Sequence, residues 1–170
     1  MKKTCLIPAA LLALFTLPAH AEPGAPRRMA RYEIQVDGMS CPFCVRGLEK
    51  KLQALPGASN VHVDLATGLA RLESRAAFPP ESLDKAVRDA GFSPRAIHMD
   101  LRGTLQGPAE HPSLLLGTGE ALTLAGGPEF RRLQAFVAGG TRAVVLKGRA
   151  SRGAGGGWRL SVEGIEEAQP

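Results

Sequence analysis

Over residues 31–101 the spacing of apolar residues switches repeatedly between a period of two and a helical period. That switching constrains the fold more than any other property of the chain, because period two marks a half-buried strand and the helical period an amphipathic helix. Tyr32, Ile34 and Val36 alternate with Arg31, Glu33 and Gln35 up to Asp37, and Gly38 stops the run. From Pro42 or Phe43 to Leu55, the residues Val45, Leu48, Leu52 and Leu55 recur at helical spacing, with Arg46, Glu49, Lys50 and Lys51 on the other side. Pro42 suits a helix's first turn, where its missing N–H costs nothing, and Pro56-Gly57 stops the helix. Val61, Val63 and Leu65 then alternate with His62 and Asp64. Ala66-Thr67-Gly68 turns the chain, and residues 69–73 return as the other arm of a hairpin. Pro79-Pro80-Glu81-Ser82 opens a second helix striped with Leu83, Ala86, Val87 and Ala90, and Gly91 fits its left-handed C-terminal position. Residues 93–101 supply a fourth strand. The order strand, helix, strand, strand, helix, strand predicts an α+β, ferredoxin-like domain, with a four-stranded antiparallel sheet and both helices on one face.

From Gly103 the texture changes to short apolar pieces between turn clusters. Residues 113–116 and 120–124 read as strands joined by Gly117-Thr118-Gly119, residues 128–137 as a helix, and residues 142–149 and 158–165 as two more strands. The Gly-rich stretch 151–157 reads as a loop. If residues 99–106 add a strand, five strands have a helix between the third and fourth, which is the element order of a small OB-like barrel. The predicted partition is therefore a first domain at 31–101 and a small mainly-β domain at 102–170, with a strand near residue 100 shared between them.

The N-terminus reads as an export signal over residues 1–21. Lys2 and Lys3 precede an apolar run from Leu6 to Leu17, and Ala19-His20-Ala21 offers a small-x-small cleavage site. The run is short for a bilayer span, which needs about 20 residues. Residues 22–30 are rich in Pro and Arg and read as a flexible lead-in. The expectation is an exported, periplasmic protein with no membrane span in its mature form. The formal net charge of +5 includes Lys2 and Lys3, and no dense basic run accompanies it, so nucleic acid is not an expected partner.

Removal of the leader would discard Cys5 and leave Cys41 and Cys44 as the whole cysteine inventory. They sit in Gly38-Met39-Ser40-Cys41-Pro42-Phe43-Cys44, where the first strand gives way to the first helix. A bond between them would close too short a loop to staple the fold, since stabilisation grows with loop length. Metal binding and redox chemistry remain. Cys44, in the first helical turn, lies near unpaired backbone N–H groups and the positive end of the helix dipole, both of which favour a thiolate. Cys41 stands on the preceding loop, so the two sulfurs can converge on one point. Two soft thiolates without a third ligand suit an ion of low coordination number, Cu(I) first and Hg(II) next. A structural zinc site would call for four ligands.

Residues 31 to about 99 resemble the heavy-metal-associated domain family, which includes copper chaperones, the N-terminal modules of copper-transporting ATPases and the periplasmic mercuric-ion binding protein. The resemblance rests on the Gly-Met-x-Cys-x-x-Cys pattern of residues 38–44, on Leu55-Pro56-Gly57, on Val61 and Val63 with the Thr67-Gly68 turn, and on Asp89-Ala90-Gly91-Phe92. It implies that Cys41 and Cys44 bind the metal, that Met39 points inward to brace the loop, and that Phe92 lies close to the site. Family members selective for Zn, Cd or Pb often carry an acidic residue beside the first cysteine, and Ser40 stands there instead.

Cys41-Pro42-Phe43-Cys44 also resembles the glutaredoxin active site, and a Cys-x-x-Cys pair at a helix start is the thioredoxin-type arrangement. A thiol–disulfide oxidoreductase is therefore the alternative to a metal carrier that is not an enzyme. Asp37 reads as a turn residue, and His62, His98 and His111 as isolated side chains. Trp158 reads as a packing residue of the second domain. Arg131, Arg132, Arg142, Lys147, Arg149, Arg152 and Arg159 read as scattered surface charge. The expected partners are the metal ion and a metal-donating or metal-accepting transporter or periplasmic protein, with the second domain as a docking module.

Overall fold

The computed structural model describes residues 30–140 and 143–168. The leader at 1–21, nearly all of the stretch 22–30, and Arg142 lie outside the described residues.

The first half has the expected element order: β1 (Ala30–Asp37), α1 (Pro42–Gln53), β2 (Ala58–Asp64), β3 (Leu69–Ser74), α2 (Pro80–Asp89) and β4 (Ser93–Gln106). Its strands lie in the order β2-β3-β1-β4, with antiparallel pairing throughout. β1 is therefore central, and its alternation is complete: Ala30, Tyr32, Ile34 and Val36 are buried. α1 buries Val45, Leu48 and Leu52, and α2 buries Leu83, Ala86 and Val87. The two helices contact each other, α1 against β2 and α2 against β4. The opposite face of the sheet is charged, with Arg31, Glu33, His98, Asp100 and Lys147 bordering one shallow cleft. Across it run ion pairs such as Arg71–Glu33 at 3.1 Å and Arg31–Glu73 at 3.6 Å.

β2 begins three residues before Val61. Asn60 has a φ of 48°, and the pairing with β3 shifts register between Ser59 and His62. Such a bulge breaks strict alternation, which hides the first half of this strand from a pattern of period two.

β4 is one strand of 14 residues, so the expected partition at residue 101 falls inside it. One edge of β4 carries β1 along its first part and β5 (Ser113–Leu116) along its last, from Gly103 to Gln106. The other edge carries β7 (Ala143–Arg152) from Ile97 to Thr104. β5 then pairs with β6 (Ala121–Leu124), β6 runs parallel to β8 (Trp158–Glu167), and β8 pairs with β7. The five strands β4-β5-β6-β8-β7 thus close into a ring. α3 (Phe130–Ala138) lies between β6 and β7 in sequence, packs on β8 and buries Leu133.

Closure requires backbones to come close where a side chain would intervene. At Gly103 a Cβ would stand 2.6 Å from the Leu115 carbonyl oxygen and 2.8 Å from Leu114 Cγ. At Gly148 it would collide with the Ser161 carbonyl oxygen, beside a register shift between β7 and β8. Glycines and bulges at such points let a sheet curl on itself. The ring's interior is aliphatic, with Leu105, Leu114, Leu122, Val144, Leu146, Leu160 and Val162 all buried.

Candidate metal site

Three chain segments meet at the end of the sheet where β1 stops. Val36 N–H donates to the Gly68 carbonyl at 2.8 Å, and Gln35 Nε2 to the Thr67 carbonyl at 2.9 Å, which ties the β2–β3 turn to β1. On the other side, α2 ends in a left-handed cap. Gly91 has a φ of 87°, its N–H donates to the Arg88 carbonyl, and the Phe92 N–H to the Val87 carbonyl. That pair of bonds is a Schellman motif, which favours glycine at the residue after the cap. It delivers Phe92 against the loop: its Cδ1 lies 3.9 Å from where a Gly38 Cβ would be. Arg95 Nε also donates to Asp37 Oδ2 at 2.9 Å, so Asp37 is an ion-pair partner at the foot of the loop as well as a turn residue.

Between these supports stands the segment 38–44. Gly38 has a φ of 88°, a conformation that costs glycine little. Met39 is half-buried and packs against the core, with its Cε 3.9 Å from where a Gly68 Cβ would be. It packs the loop against the β2–β3 turn, in keeping with the bracing role that the family resemblance implies. Cys41 is the N-cap of α1, in extended conformation (φ −130°, ψ 124°), with Pro42 in the first turn. The N–H groups of Cys44 and Val45 donate to the Cys41 carbonyl at 3.1 and 3.3 Å. Cys44 thus belongs to the first helical turn and is held beside Cys41.

Both cysteines are free thiols, Cys41 half-exposed and Cys44 exposed. Phe43 between them is 84% exposed. Their acidities diverge. The Cys41 thiol is shifted below its ordinary value, chiefly by the Cys44 backbone N–H, then by the Cys44 thiol and the Phe43 N–H. Cys44 is shifted above it, because its thiol donates to Cys41 and then faces the Cys41 charge. The sequence points to Cys44 as the favoured thiolate; the structure gives that role to Cys41. The physical reason is directional: the Cys44 and Phe43 N–H groups at the positive end of the helix face the residue before it, and that residue is Cys41, although its side chain makes no capping hydrogen bond. No acidic side chain occupies the first turn of α1 to oppose this.

Among the described residues, no group of three or more His, Cys, Asp or Glu side chains gathers to hold an ion. His62, His98 and His111 are all exposed, and His98 Nδ1 faces Glu163 Oε2 at 3.4 Å on the charged face of the sheet. The cysteine pair therefore stands as a two-sulfur site, suited to soft ions of low coordination number. Among the described residues no helix is long and apolar enough to cross a membrane.

Residues 33–93 match the model of the heavy-metal-associated domain. Copper-transporting ATPase 2 of Rhizobium meliloti (strain 1021) is 39% identical over 83 residues, which cover 48% of this chain and 10% of the ATPase. The chain thus spans about a tenth of the length of such ATPases. Two small relatives are matched almost whole. The COP-associated protein of Helicobacter felis is 36% identical over 62 residues, covering 36% of this chain and 94% of the relative. The copper chaperone CopZ of Bacillus subtilis (strain 168) is 34% identical over 65 residues, covering 38% of this chain and 94% of the relative. With both small relatives spanned nearly end to end, and the cysteine loop seated inside the matched segment, the chain belongs to the heavy-metal-associated domain family.

Proposed function

We propose that this protein carries one Cu(I) ion between Cys41 and Cys44 and hands it on by ligand exchange. The observation that supports this most directly is the cysteine pair itself: two free, accessible thiols, one made more acidic by the helix N-terminus, with no third ligand gathered beside them among the described residues. A soft ion of low coordination number matches such a site, and Hg(II) is the next fit. The relatives named as copper chaperones and copper-transporting ATPases favour copper.

Transfer would begin when an incoming thiolate or thioether bonds to the ion and makes it three-coordinate. The bond to one cysteine then breaks, and that sulfur takes up a proton as the ion leaves. Phe43 stands exposed beside the pair, where an approaching partner meets it first. A carrier of this kind needs no covalent catalysis. The partner would be a metal-donating or metal-accepting transporter or periplasmic protein, and the leader-like residues 1–21 support export to that compartment.

The second half of the chain is read as an OB-type barrel. Its five-strand ring, the parallel β6–β8 pairing and the helix before the fourth strand support that reading.

Anaerobic titration of the reduced full-length protein with Cu(I) tests the proposal. One ion binds tightly per chain, and binding is lost in Cys41→Ser and in Cys44→Ser. Weak Cu(I) binding together with efficient catalytic reduction of insulin disulfides would replace the carrier by a thiol–disulfide oxidoreductase.

A further inference from the structure

A second concavity, whose lining includes neither cysteine, lies where α2 and the start of β4 meet the β7–β8 hairpin. It is a cleft of about 520 Å³ whose charged and aromatic lining is Asp84, Arg88, Arg95, Arg149, Arg152 and Trp158. In sequence these residues fall into two groups on either side of the ring's first strands, so the arginines of 149–152 read as scattered surface charge. The pairing of β4 with β7, Ile97 opposite Ala150 and His98 opposite Arg149, brings the two groups together.

The cleft is organised around one carboxylate. The Asp84 side chain is only 8% exposed, and its Oδ2 accepts from Arg88 Nε at 3.0 Å and from Arg152 Nη2 at 3.1 Å. Arg152 also lies over the Trp158 ring, 4.7 Å from its centroid. These contacts fix two guanidinium planes while leaving most of their donors unused, since each guanidinium carries five N–H groups. Arg149 makes no ion pair among the described residues, and Arg95 contributes its charge from the rim while bonded to Asp37. Trp158 Nε1 is buried and has no hydrogen-bond partner among the described residues. A buried donor left unpaired is costly.

Four arginines thus line a concave site whose lining holds a single carboxylate, Asp84, while Asp37 pairs with Arg95 from outside that lining. Concave walls focus the field of like charges and raise the local concentration of counter-ions. Guanidinium planes bind carboxylate and phosphate oxygens in pairs. The volume is in the range of small-molecule sites, about 300–1,000 Å³. We infer that this cleft is a binding site for a small polyanion bearing two or more carboxylate or phosphate groups. It is built jointly by the two halves of the chain, and neither cysteine lines it.

The test uses the only tryptophan in the chain, because Trp158 lines the cleft and its emission reports on it. The full-length protein is titrated with citrate and, separately, with pyrophosphate, with sodium chloride holding ionic strength constant. The expected result is a saturable change in Trp158 emission for at least one anion, with half-saturation below about 1 mM. The stronger of the two anions identifies the preferred oxyanion. Arg149→Gln, which breaks no ion pair among the described residues, should weaken binding at least tenfold. Lys50→Gln, the same charge loss on α1, should leave it unchanged. Calorimetry on the same samples supplies a readout where emission is insensitive, and thermal melts check that both variants are folded. Overturning results are a response that follows ionic strength without saturating, an absence of binding heat for both anions, or equal affinity in the folded Arg149→Gln protein.

Discussion

The Cys44 backbone N–H that closes on the Cys41 carbonyl at 3.1 Å is also the main influence on the Cys41 thiol, drawing its pKa down. One peptide group therefore both seats the second cysteine in the helix and makes the first the better thiolate. The thiols should ionise in order. Cys41 loses its proton first as pH rises; Cys44 follows later, because it donates to Cys41 and then faces its charge. Limited alkylation of the reduced protein near neutral pH, read by mass mapping, should label Cys41 ahead of Cys44. In Cys41→Ser, the remaining thiol should react at lower pH than Cys44 does in the parent, since its raising influence is gone. Equal labelling, or labelling of Cys44 first, would refute this ordering.

The signs for stability oppose each other. A thiol whose folded pKa is depressed contributes stability above its unfolded pKa, and this is lost as pH falls through the folded value. A thiol whose folded pKa is raised contributes below its unfolded pKa, and this is lost as pH rises through the folded value. Cys41 and Cys44 are of opposite kinds, so the urea midpoint should rise as pH climbs towards the ordinary thiol pKa and fall again above it. A steep monotonic drift of the midpoint over that range, absent from a Cys41→Ser/Cys44→Ser protein, would contradict the assignment.

Tyr32, central in β1, stacks on Phe78 with ring centroids 4.5 Å apart. Its hydroxyl accepts from the Phe78 N–H at 2.9 Å and donates to the Phe78 carbonyl at 3.2 Å. Both residues are buried, and burial holds the Tyr32 hydroxyl well above its ordinary pKa. Tyr32→Phe keeps the ring and leaves two backbone groups without their partner. The expected loss is about 1–3 kcal/mol, read from urea unfolding, with Cu(I) stoichiometry unchanged. A loss below about 0.5 kcal/mol would mean that water or a neighbour satisfies the backbone of Phe78.

Much of the first half was legible in the sequence because its signals are periodic. Tyr32, Ile34 and Val36 on β1, and Val45, Leu48 and Leu52 on α1, are buried where their spacing puts them. A period of two tells which face of a strand is buried; it carries nothing about which strands lie along its two edges. That is why the double use of β4, with β1 and β5 on one edge and β7 on the other, had to come from the structure. The same limit hid the arginine cleft, whose parts meet only through the pairing of β4 with β7. Asp84 was masked differently: it sits beside Leu83 at the apolar stripe of α2, and its burial is matched by ion pairs to Arg88 and Arg152, the second 68 positions away in sequence. In the loop, the spacing identified the cysteine pair, while their relative acidity depends on the directions of individual N–H groups.

Met39 offers a test of the loop's construction. It packs against the core near the β2–β3 turn, and methionine is well suited to filling such irregular spaces. Met39→Leu preserves most of that volume, and swaps of this kind usually cost less than about 1.5 kcal/mol. Cu(I) affinity, measured by competition with a chromophoric chelator, should stay within roughly threefold of the parent. A loss of a hundredfold in a protein that remains folded would show that the thioether ligates the ion.

The shared strand predicts how the chain unfolds. Residues Ile97 to Leu101 pair with β1 on one edge and with β7 on the other, so neither half can lose β4 without stripping the other. A single cooperative transition is expected, in which Trp158 emission, reporting on the ring, and far-UV circular dichroism, reporting on all helices and strands, share one midpoint. Gly103 is the place to strain it, because any Cβ there meets the Leu115 carbonyl oxygen and the Leu114 side chain. Gly103→Val should lower stability by about 1–3 kcal/mol or more, as overpacking does. Both signals should move together, even though the substitution lies on the ring side of the strand. Separate midpoints, with the first half unaffected, would mean that β4 can fray at Leu101 and that the two halves fold independently.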